Sequence, residues 1–271
     1  MSRTVHLQLV PDDVAGNDGL GRIFLLPGSV GRAREIAEHF VNRTTHDNPR
    51  HLDVHTGQLV AGERKIDVGT VSTGMGCPSV GIVVHELFGL GVRRMLRVGS
   101  SGSLQPAHVR IGDVVVATGA VRDEGASDAF CPREVPSVAH PDWVRALRGA
   151  AVALGYGEHA FTGVVHSKDS LYGREFPSGP QADANERYMA VLRGMGVLAS
   201  EMESSHLFVL AAALGPDHHP VAARGPTPDV VKAGAVLAIL SDETGWAGPE
   251  AGAAAEARAV QVALAAIPRL A

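Results

Sequence analysis

The sequence predicts a single α/β domain, spanning residues 1–271, in which helices flank a mixed and mostly parallel central sheet. Three observations support this fold class. Short apolar runs that are bounded by glycine or polar residues have the character of buried strands. Longer segments with helical spacing of apolar residues lie between several of these runs. The length of 271 residues is ordinary for one domain of this class.

The predicted elements alternate along the chain. The strands are short and continuously apolar or β-branched, and they are Ile23–Pro27, Lys65–Thr73, Met95–Val98, Asp113–Ala120, Phe161–Val165, Val197–Ser200 and Ala233–Ser241. The helices are Gly31–Phe40, Ser79–Phe88, Pro141–Gly155, Asn185–Met195, Ser204–Leu214 and Pro249–Ile267. Pro78 marks the first turn of the second helix, where a missing N–H group is tolerated. Gly173–Ala184 is predicted to be a flexible loop, and the proline-rich Gly215–Val230 is predicted to be a surface insertion.

Composition excludes several classes of function. The 24 basic and 29 acidic side chains are spread along the chain, and the net charge of −5 argues against binding to nucleic acid or to a membrane surface. Cys77 and Cys131 form neither a disulfide framework nor a zinc-binding pattern, and both are predicted to be small buried side chains. The first residues contain no signal-peptide core, so a soluble cytoplasmic protein is expected.

The most informative stretch is Leu96–Ser127, in which an apolar run ends in Arg97 and a turn of small residues up to Gly102. Ligands bind α/β sheets at the carboxyl ends of their strands. A fixed guanidinium beside glycine and serine suits an anion such as phosphate, because it donates several hydrogen bonds and small residues let the backbone approach. The segment Leu26–Arg32, with Gly28 and Arg32, offers a second anion site of this kind at a helix N-terminus. Taken alone, this segment is better explained as an ordinary strand-to-helix turn with a solvated arginine.

Two carboxylates flank Met202 between a predicted strand and a predicted helix. A carboxylate at this junction can accept hydrogen bonds from both ribose hydroxyls, whereas the alternative is a capping box with Ser200 as N-cap and Glu203 at its third position. Ser241-Asp242 ends the last strand, where the aspartate is either an acid for a leaving group or a turn cap. His46, His51 and His55 are close in sequence, and His51 and His55 have an i,i+4 spacing. A metal site would need a third ligand and a helix at this place, whereas the segment is predicted to be extended, so no metal is expected.

Taken together, the motifs STGMGCPS, LRVGSSGSLQP, IGDVVVATGAVRDEGAS and SEMESS resemble the nucleoside phosphorylase-I superfamily, most closely its uridine phosphorylases. The resemblance runs from about His6 to about Glu243. It implies a phosphorylase/hydrolase-like fold whose sheet is partly barrel-like. It also implies phosphorolysis, in which a nucleoside and phosphate give a free base and a pentose 1-phosphate. No cofactor is implied beyond inorganic phosphate as co-substrate.

The same resemblance assigns the candidate site residues. The phosphate-binding positions are Gly28, Arg32, Arg50, Arg97 and Ser100. The ribose-binding positions are His6, Met202 and Glu203. The base-binding positions are Ser101, Gly102, Leu171, Tyr172, Arg174 and Glu201. The catalytic positions are Arg97, Glu203 and Asp242. Because the family uses His6 and Arg50 across a subunit interface, a homo-oligomer of site-sharing dimers is implied, commonly a hexamer.

Three departures from the family pattern bear on the substrate. Ser29-Val30 replaces the usual Asp-Pro of the first motif, and phosphate binding is expected to persist through the backbone. Arg174 stands where a glutamine is expected; arginine only donates, so either another group accepts from uracil N3–H or the preferred base differs. Asp242 resembles the aspartate with which purine-specific relatives protonate the base.

Uridine or a modified uridine, including a 5′-modified one, is therefore the expected substrate, with purine nucleosides as the alternative. A nucleosidase would attack with water and normally lacks the phosphate arginines, whereas Arg32, Arg50 and Arg97 are all present. A non-catalytic nucleoside-binding protein is expected to lose Glu203 or these arginines, and none is lost.

Overall fold

A computed structural model describes residues 3–176, 178–215 and 230–270 of the chain. The strands are β1 Ile23–Leu26, β2 Val41–His46, β3 Val54–Ala61, β4 Arg64–Val71, β5 Arg94–Ser103, β6 Val114–Asp123, β7 Ser137–Val138, β8 Ala160–Lys168, β9 Ala199–Glu201, β10 Lys232–Asp242 and β11 Gly245–Trp246. The helices are α1 Pro11–Val14, α2 Val30–Glu38, α3 Cys77–Gly89, α4 Pro141–Ala153, α5 Leu171–Arg174, α6 Ala182–Gly194, α7 Ser204–Leu214 and α8 Pro249–Ala266. All seven predicted strands and all six predicted helices are present, with boundaries shifted by a few residues.

The sheet is mixed, and one half of it closes on itself. The strands follow the order β11-β10-β6-β8-β9-β5-β1-β4-β3-β2, and β10 also pairs with β5 in parallel from Lys232 to Ser241. This extra pairing closes β5, β10, β6, β8 and β9 into a barrel, as the resemblance implies, while β1, β4, β3 and β2 extend as an open wing. The pairs β4–β1, β1–β5 and β6–β8 are parallel, and β2–β3–β4 are antiparallel.

Alternation along β1 places apolar side chains on both faces of the sheet, as expected for a covered central strand. Phe24 and Leu26 belong to the apolar core that α3 and α7 cover. Ile23 and Leu25 belong to the core on the other face, which α2, α4 and α8 cover. Helices therefore flank the sheet on both sides and leave the carboxyl ends of its central strands open for ligand binding.

Two parts of the chain differ from the prediction or lie outside the description. Gly173–Ala184 is not a loop throughout, because its first residues complete α5 and its last residues begin α6. Ser170 caps α5 by accepting a hydrogen bond from the Gly173 N–H group at 3.1 Å, which a composition of glycine and proline does not reveal. Residues 216–229 of the proline-rich segment lie outside the described residues. In the described ranges, no helix has the length and apolar character to cross a membrane.

Candidate active site

A cleft of about 640 Å³ opens where β1, β4, β5, β9 and β10 end. The structure brings most of the predicted site residues into its lining, namely Gly28, Arg32, Arg50, Arg97, Ser100, Ser101, Gly102, Leu171, Glu201, Met202 and Glu203. These residues are far apart in sequence, and they meet because β1, β4, β5 and β10 run parallel and end at one edge of the sheet. The antiparallel strand β9 brings Glu201 and the residues after it to the same edge.

Arg97 lies at the centre of the charged part of the cleft, at a position where β5 is fully buried. Its Nε donates to Glu201 Oε2 at 2.8 Å, and its Nη2 contacts Glu203 Oε2. Burial lowers the pKa of Arg97, but the two carboxylates outweigh this and raise it overall. Gly99 provides the necessary space, because a Cβ there would lie 3.0 Å from the Arg97 guanidinium and 2.8 Å from Leu237. The guanidinium is thus ionised and fixed in orientation.

The two carboxylates of the SEMESS segment have different surroundings. Glu201 accepts hydrogen bonds from the N–H groups of Glu203 and Ser204 at 3.0 and 2.9 Å and from the Ser167 hydroxyl. Burial raises the pKa of Glu201, but Arg97 and these hydrogen bonds more than compensate, so it lies below its usual value. Glu201 therefore satisfies the first N–H groups of α7. The expected capping box is wrong in its N-cap, because Ser200 lies in β9 and the N-cap of α7 is Glu203.

Glu203 faces the cleft with fewer partners. Its Oε1 accepts from the Gly76 N–H group at 2.6 Å, and Gly76 has a φ of +89°, which favours glycine. Burial raises the pKa of Glu203 above its usual value; Arg97 opposes the shift, and the neighbouring Glu201 carboxylate adds to it. Glu203 is the carboxylate of the pair that remains available to a ligand.

Arg32 is buried beside Arg97 at the start of α2. Its Nη1 donates to the Val98 carbonyl at 3.2 Å, and its Nη2 contacts the carboxylate of Glu256 in α8. Burial lowers the pKa of Arg32, and Glu256 opposes this shift. Ser29 acts as the N-cap of α2, because its hydroxyl accepts from the Arg32 N–H group at 3.2 Å. Ser29-Val30, which stands where the family pattern has Asp-Pro, therefore still forms the turn that positions Arg32.

Two buried N–H groups of this arginine pair, Arg32 Nε and Arg97 Nη1, have no hydrogen-bond partner within the described part of the chain. A buried unpaired donor is costly, and donors on two ionised groups attract an anion strongly. Within the same described ranges, no cluster of His, Cys, Asp and Glu side chains is placed to hold a metal. The arrangement can bind a small oxyanion next to a carboxylate.

Four predicted site residues lie outside this cleft. Asp242 accepts from the Thr244 N–H and hydroxyl groups at 2.8 and 2.6 Å, and so caps the turn between β10 and β11. Tyr172 is 71% exposed. Arg174 is bound by Asp123 on the outer side of α5. His6 lies next to Glu86, whose Oε1 is 2.8 Å from its Nδ1.

The cleft is also lined by residues that the sequence did not single out. Those with charged or aromatic side chains are Lys168, Glu175, Trp246 and Glu256. Lys168 is almost fully buried at the end of β8. Lysine is rarely buried unless it is paired, so a lysine at the end of a predicted buried strand could have indicated a functional position. Glu175 follows Arg174 directly. The sequence therefore indicates the segment that reaches the cleft, but it singles out Arg174 and not the adjacent Glu175. Trp246 and Glu256 come from the final part of the chain, where the motifs give no indication.

Comparison with known proteins gives a consistent result. The family model described as the phosphorylase superfamily matches residues 22–267. A uridine phosphorylase of Treponema pallidum (strain Nichols) is 36% identical over 241 residues, which cover 88% of this chain and 82% of the relative. A uridine phosphorylase of Escherichia coli (strain K12) is 36% identical, with 79% and 82% covered. A guanosine phosphorylase of Halorubrum lacusprofundi is 32% identical, with 79% and 80% covered.

Proposed function

The chain belongs to the phosphorylase superfamily, and on that premise we propose that it is a nucleoside phosphorylase that cleaves uridine or a modified uridine. The observation that carries this proposal is the pair Arg32 and Arg97, which line the cleft beside Glu203 and each keep one buried N–H group without a partner in the described part of the chain. Phosphate is the co-substrate that these donors suit, and no further cofactor is required. The similarity to proteins named uridine phosphorylases supports uracil as the base.

The geometry gives each group a part in the reaction. A phosphate oxygen attacks C1′ of the ribose, the C1′–N bond breaks, and its electron pair leaves with the base, which takes up a proton. We assign Gly28, Arg32, Arg50, Arg97 and Ser100 to phosphate, which they hold in line with C1′. Glu203 and Met202 hold the sugar, and the Glu203 carboxylate stabilises the positive charge that develops on it. We assign Ser101, Gly102 and Leu171 to the base. Glu201 would line the base pocket without hydrogen-bonding the base, because Arg97 and the first N–H groups of α7 occupy its carboxylate.

Purine nucleosides are the second candidate, supported by the similarity to the guanosine phosphorylase. The acid expected for them, Asp242, accepts from Thr244 and lies outside the cleft, so uridine is favoured. The test is to follow base release from uridine, thymidine, inosine and adenosine with and without phosphate. We expect phosphate-dependent release from uridine. Release without phosphate would indicate a nucleosidase, and no release by folded protein would indicate a binding protein.

We also propose that the protein forms dimers that share active sites through His6 and Arg50, assembled further to a hexamer. His6 is held outside the cleft of its own chain, because Glu86 accepts from the N–H groups of His6 and Leu7 at 2.9 and 2.7 Å. The same carboxylate contacts the imidazole Nδ1 at 2.8 Å and so holds the partly exposed ring outside that cleft, where the proposed partner would meet it. Arg50 lines the cleft of its own chain, and in the proposed dimer it would extend from there to the phosphate of the partner. Light scattering measures the number of subunits.

Phosphate must compete with Glu256 for Arg32, because the Glu256 carboxylate contacts the same guanidinium. We expect Glu256→Gln to lower the KM for phosphate roughly 2- to 10-fold, because the amide still accepts from Arg32 and only the charge of this contact is lost, and to leave the KM for the nucleoside unchanged. Steady-state kinetics with varied phosphate measures this. Glu250→Gln, on the exposed first turn of the same helix, is the matched control. A higher KM for phosphate would mean instead that Glu256 orients Arg32.

A further inference from the structure

At α5, the side chain that lines the cleft is Glu175 and not Arg174, which the sequence suggested. Arg174, at the position where a glutamine is expected, donates from Nε and Nη2 to the two carboxylate oxygens of Asp123 at 2.6 and 2.9 Å. Its guanidinium also contacts Asn185 and stacks on the Tyr188 ring, 4.3 Å from the ring centroid. These contacts use the donors of Arg174 on the outer side of the segment, away from the cleft.

Glu175, the next residue, lines the cleft instead. The Glu175 carboxylate lies against Gly102, so close that a Cβ added at residue 102 would collide with Glu175 Oε1. The second oxygen, Oε2, is buried and has no hydrogen-bond partner in the described part of the chain apart from an ionic contact with Lys168 Nζ at 2.5 Å. A carboxylate is therefore held over the cleft with accepting capacity to spare.

Lys168 fixes this carboxylate. Its Nζ donates to the Ser200 hydroxyl at 2.8 Å and lies 3.4 Å from the Glu201 carbonyl, so its three donors are occupied once Glu175 is included. The Ser200 hydroxyl lies 3.0 Å from His166 Nδ1, and His166 Nε2 lies 3.0 Å from Asp123, the partner of Arg174. One chain of polar contacts thus connects the outward Arg174 with the inward Glu175 and makes Lys168 a positioning residue.

We propose that Glu175 is the base-reading group of this site and accepts a hydrogen bond from a ring N–H of the nucleobase, with Lys168 holding it in place. The proposal rests on the proposed function and deepens it. It supplies the acceptor for uracil N3–H that Arg174 cannot provide. Leu171 and Trp246, which also line the cleft, offer apolar surface to the faces of the same ring.

A carboxylate in this place selects a class of substrate. Uracil carries N3–H between two carbonyl groups, and hypoxanthine and guanine carry N1–H beside a carbonyl, so each of these bases donates to Glu175. Cytosine and adenine have an unprotonated ring nitrogen at the corresponding position, and two acceptors would then face each other in a buried site. The site therefore takes nucleosides whose base has a ring N–H beside a carbonyl group and rejects those of cytosine and adenine.

The test compares uridine with 3-methyluridine, which lacks the N3–H donor. Wild-type protein is expected to prefer uridine in kcat/KM, and Glu175→Ala to reduce this preference on the order of 10- to 100-fold, the effect of one hydrogen bond to a charged acceptor. Glu175→Gln keeps an acceptor oxygen and is expected to restore most of the preference. Lys168→Met, which leaves Glu175 in place but unanchored, is expected to reduce the preference without changing the KM for phosphate.

Glu243→Gln, an exposed glutamate outside the cleft, is the matched control and should leave the preference unchanged. A preference for uridine that survives intact in folded Glu175→Ala would overturn the proposal. Binding of uracil and 3-methyluracil, measured by calorimetry on wild type and Glu175→Ala, reads the same contact without turnover. A protein that discriminates these bases through Glu175 but releases no base with phosphate would refute the proposed reaction and leave this inference standing.

Discussion

Replacing Arg97 with methionine is expected to abolish phosphorolysis and to destabilise the fold at the same time. The wild-type cluster buries one guanidinium with two carboxylates, Glu201 and Glu203, and so already carries one negative charge in excess. Among the described residues, Arg97 is the cation that contacts both, and Arg97→Met leaves two buried carboxylates without it. Loss of one partner from a buried ion pair costs about 3–5 kcal/mol, and loss of a preorganised donor to a transition state costs on the order of 10²- to 10³-fold in rate.

Urea unfolding measures the first effect, and kcat/KM for uridine measures the second. Arg97→Lys keeps the charge but lacks the planar fork that reaches Glu201 with Nε and Glu203 with Nη2, so we expect intermediate stability and low activity. Arg145→Met is the control, because Arg145 is 73% exposed and its ion pair with Asp142 lies on the surface of α4. Arg97→Met with activity within tenfold of wild type would contradict this account of the site.

The fold could be predicted largely from the sequence because its central elements are strongly patterned. A buried strand such as Ile23–Leu26 is apolar on both faces, and glycine or proline marks its ends. The edge strand Val41–His46 was not predicted, because its mostly polar residues are exposed and it is recognisable only through its pairing with Val54–Ala61. The closure of the barrel by β10 and β5 is likewise a long-range pairing that no local pattern specifies.

Most of the residues proposed for phosphate and ribose could be expected to share one cleft, because they lie on or just after the strongly patterned strands β1, β5 and β9. Their roles toward phosphate and ribose stay predictions. The side chains of the short helix α5 and its flanks could not be placed in this way, because a short helix turns neighbouring residues to different sides. Arg174 and Glu175 are adjacent, yet Asp123 binds one on the outer side and Lys168 binds the other in the cleft. Which of two neighbours faces a ligand depends on such distant partners, and the sequence does not show which partners they meet.

Glu203→Gln is expected to have the opposite effect on stability from Arg97→Met while also impairing activity. The isosteric amide can still accept from the Gly76 N–H group, but it cannot stabilise positive charge on the ribose, and we expect kcat/KM for uridine to fall on the order of 10²- to 10³-fold. The substitution converts the cluster of one guanidinium and two carboxylates into a neutral pair of Arg97 and Glu201. The fold should therefore be at least as stable as wild type at neutral pH.

The pH dependence of this effect follows from the direction of the shift. The folded pKa of Glu203 is raised from the ordinary value of 4.5, so the stability that its protonated form contributes is fully present below 4.5 and is lost as pH rises through the folded pKa. Glutamine does not titrate, and the thermal midpoint of Glu203→Gln should match wild type near pH 4.5 and exceed it at higher pH. A variant that is less stable than wild type at neutral pH would refute this interpretation.

Glu201→Gln provides the matched comparison, because the two glutamates contact the same arginine but their pKa values are shifted in opposite directions. The folded pKa of Glu201 is lowered, since Arg97 and the α7 N–H groups outweigh the effect of burial, so its ionised form stabilises the fold above its ordinary pKa and that stability is lost on acidification. We therefore expect Glu201→Gln to lower the midpoint at neutral pH, where Glu203→Gln does not. If Glu201→Gln lowers the thermal midpoint at neutral pH and Glu203→Gln does not, Glu201 is the structural carboxylate. Glu203 is then the carboxylate whose burial serves the reaction.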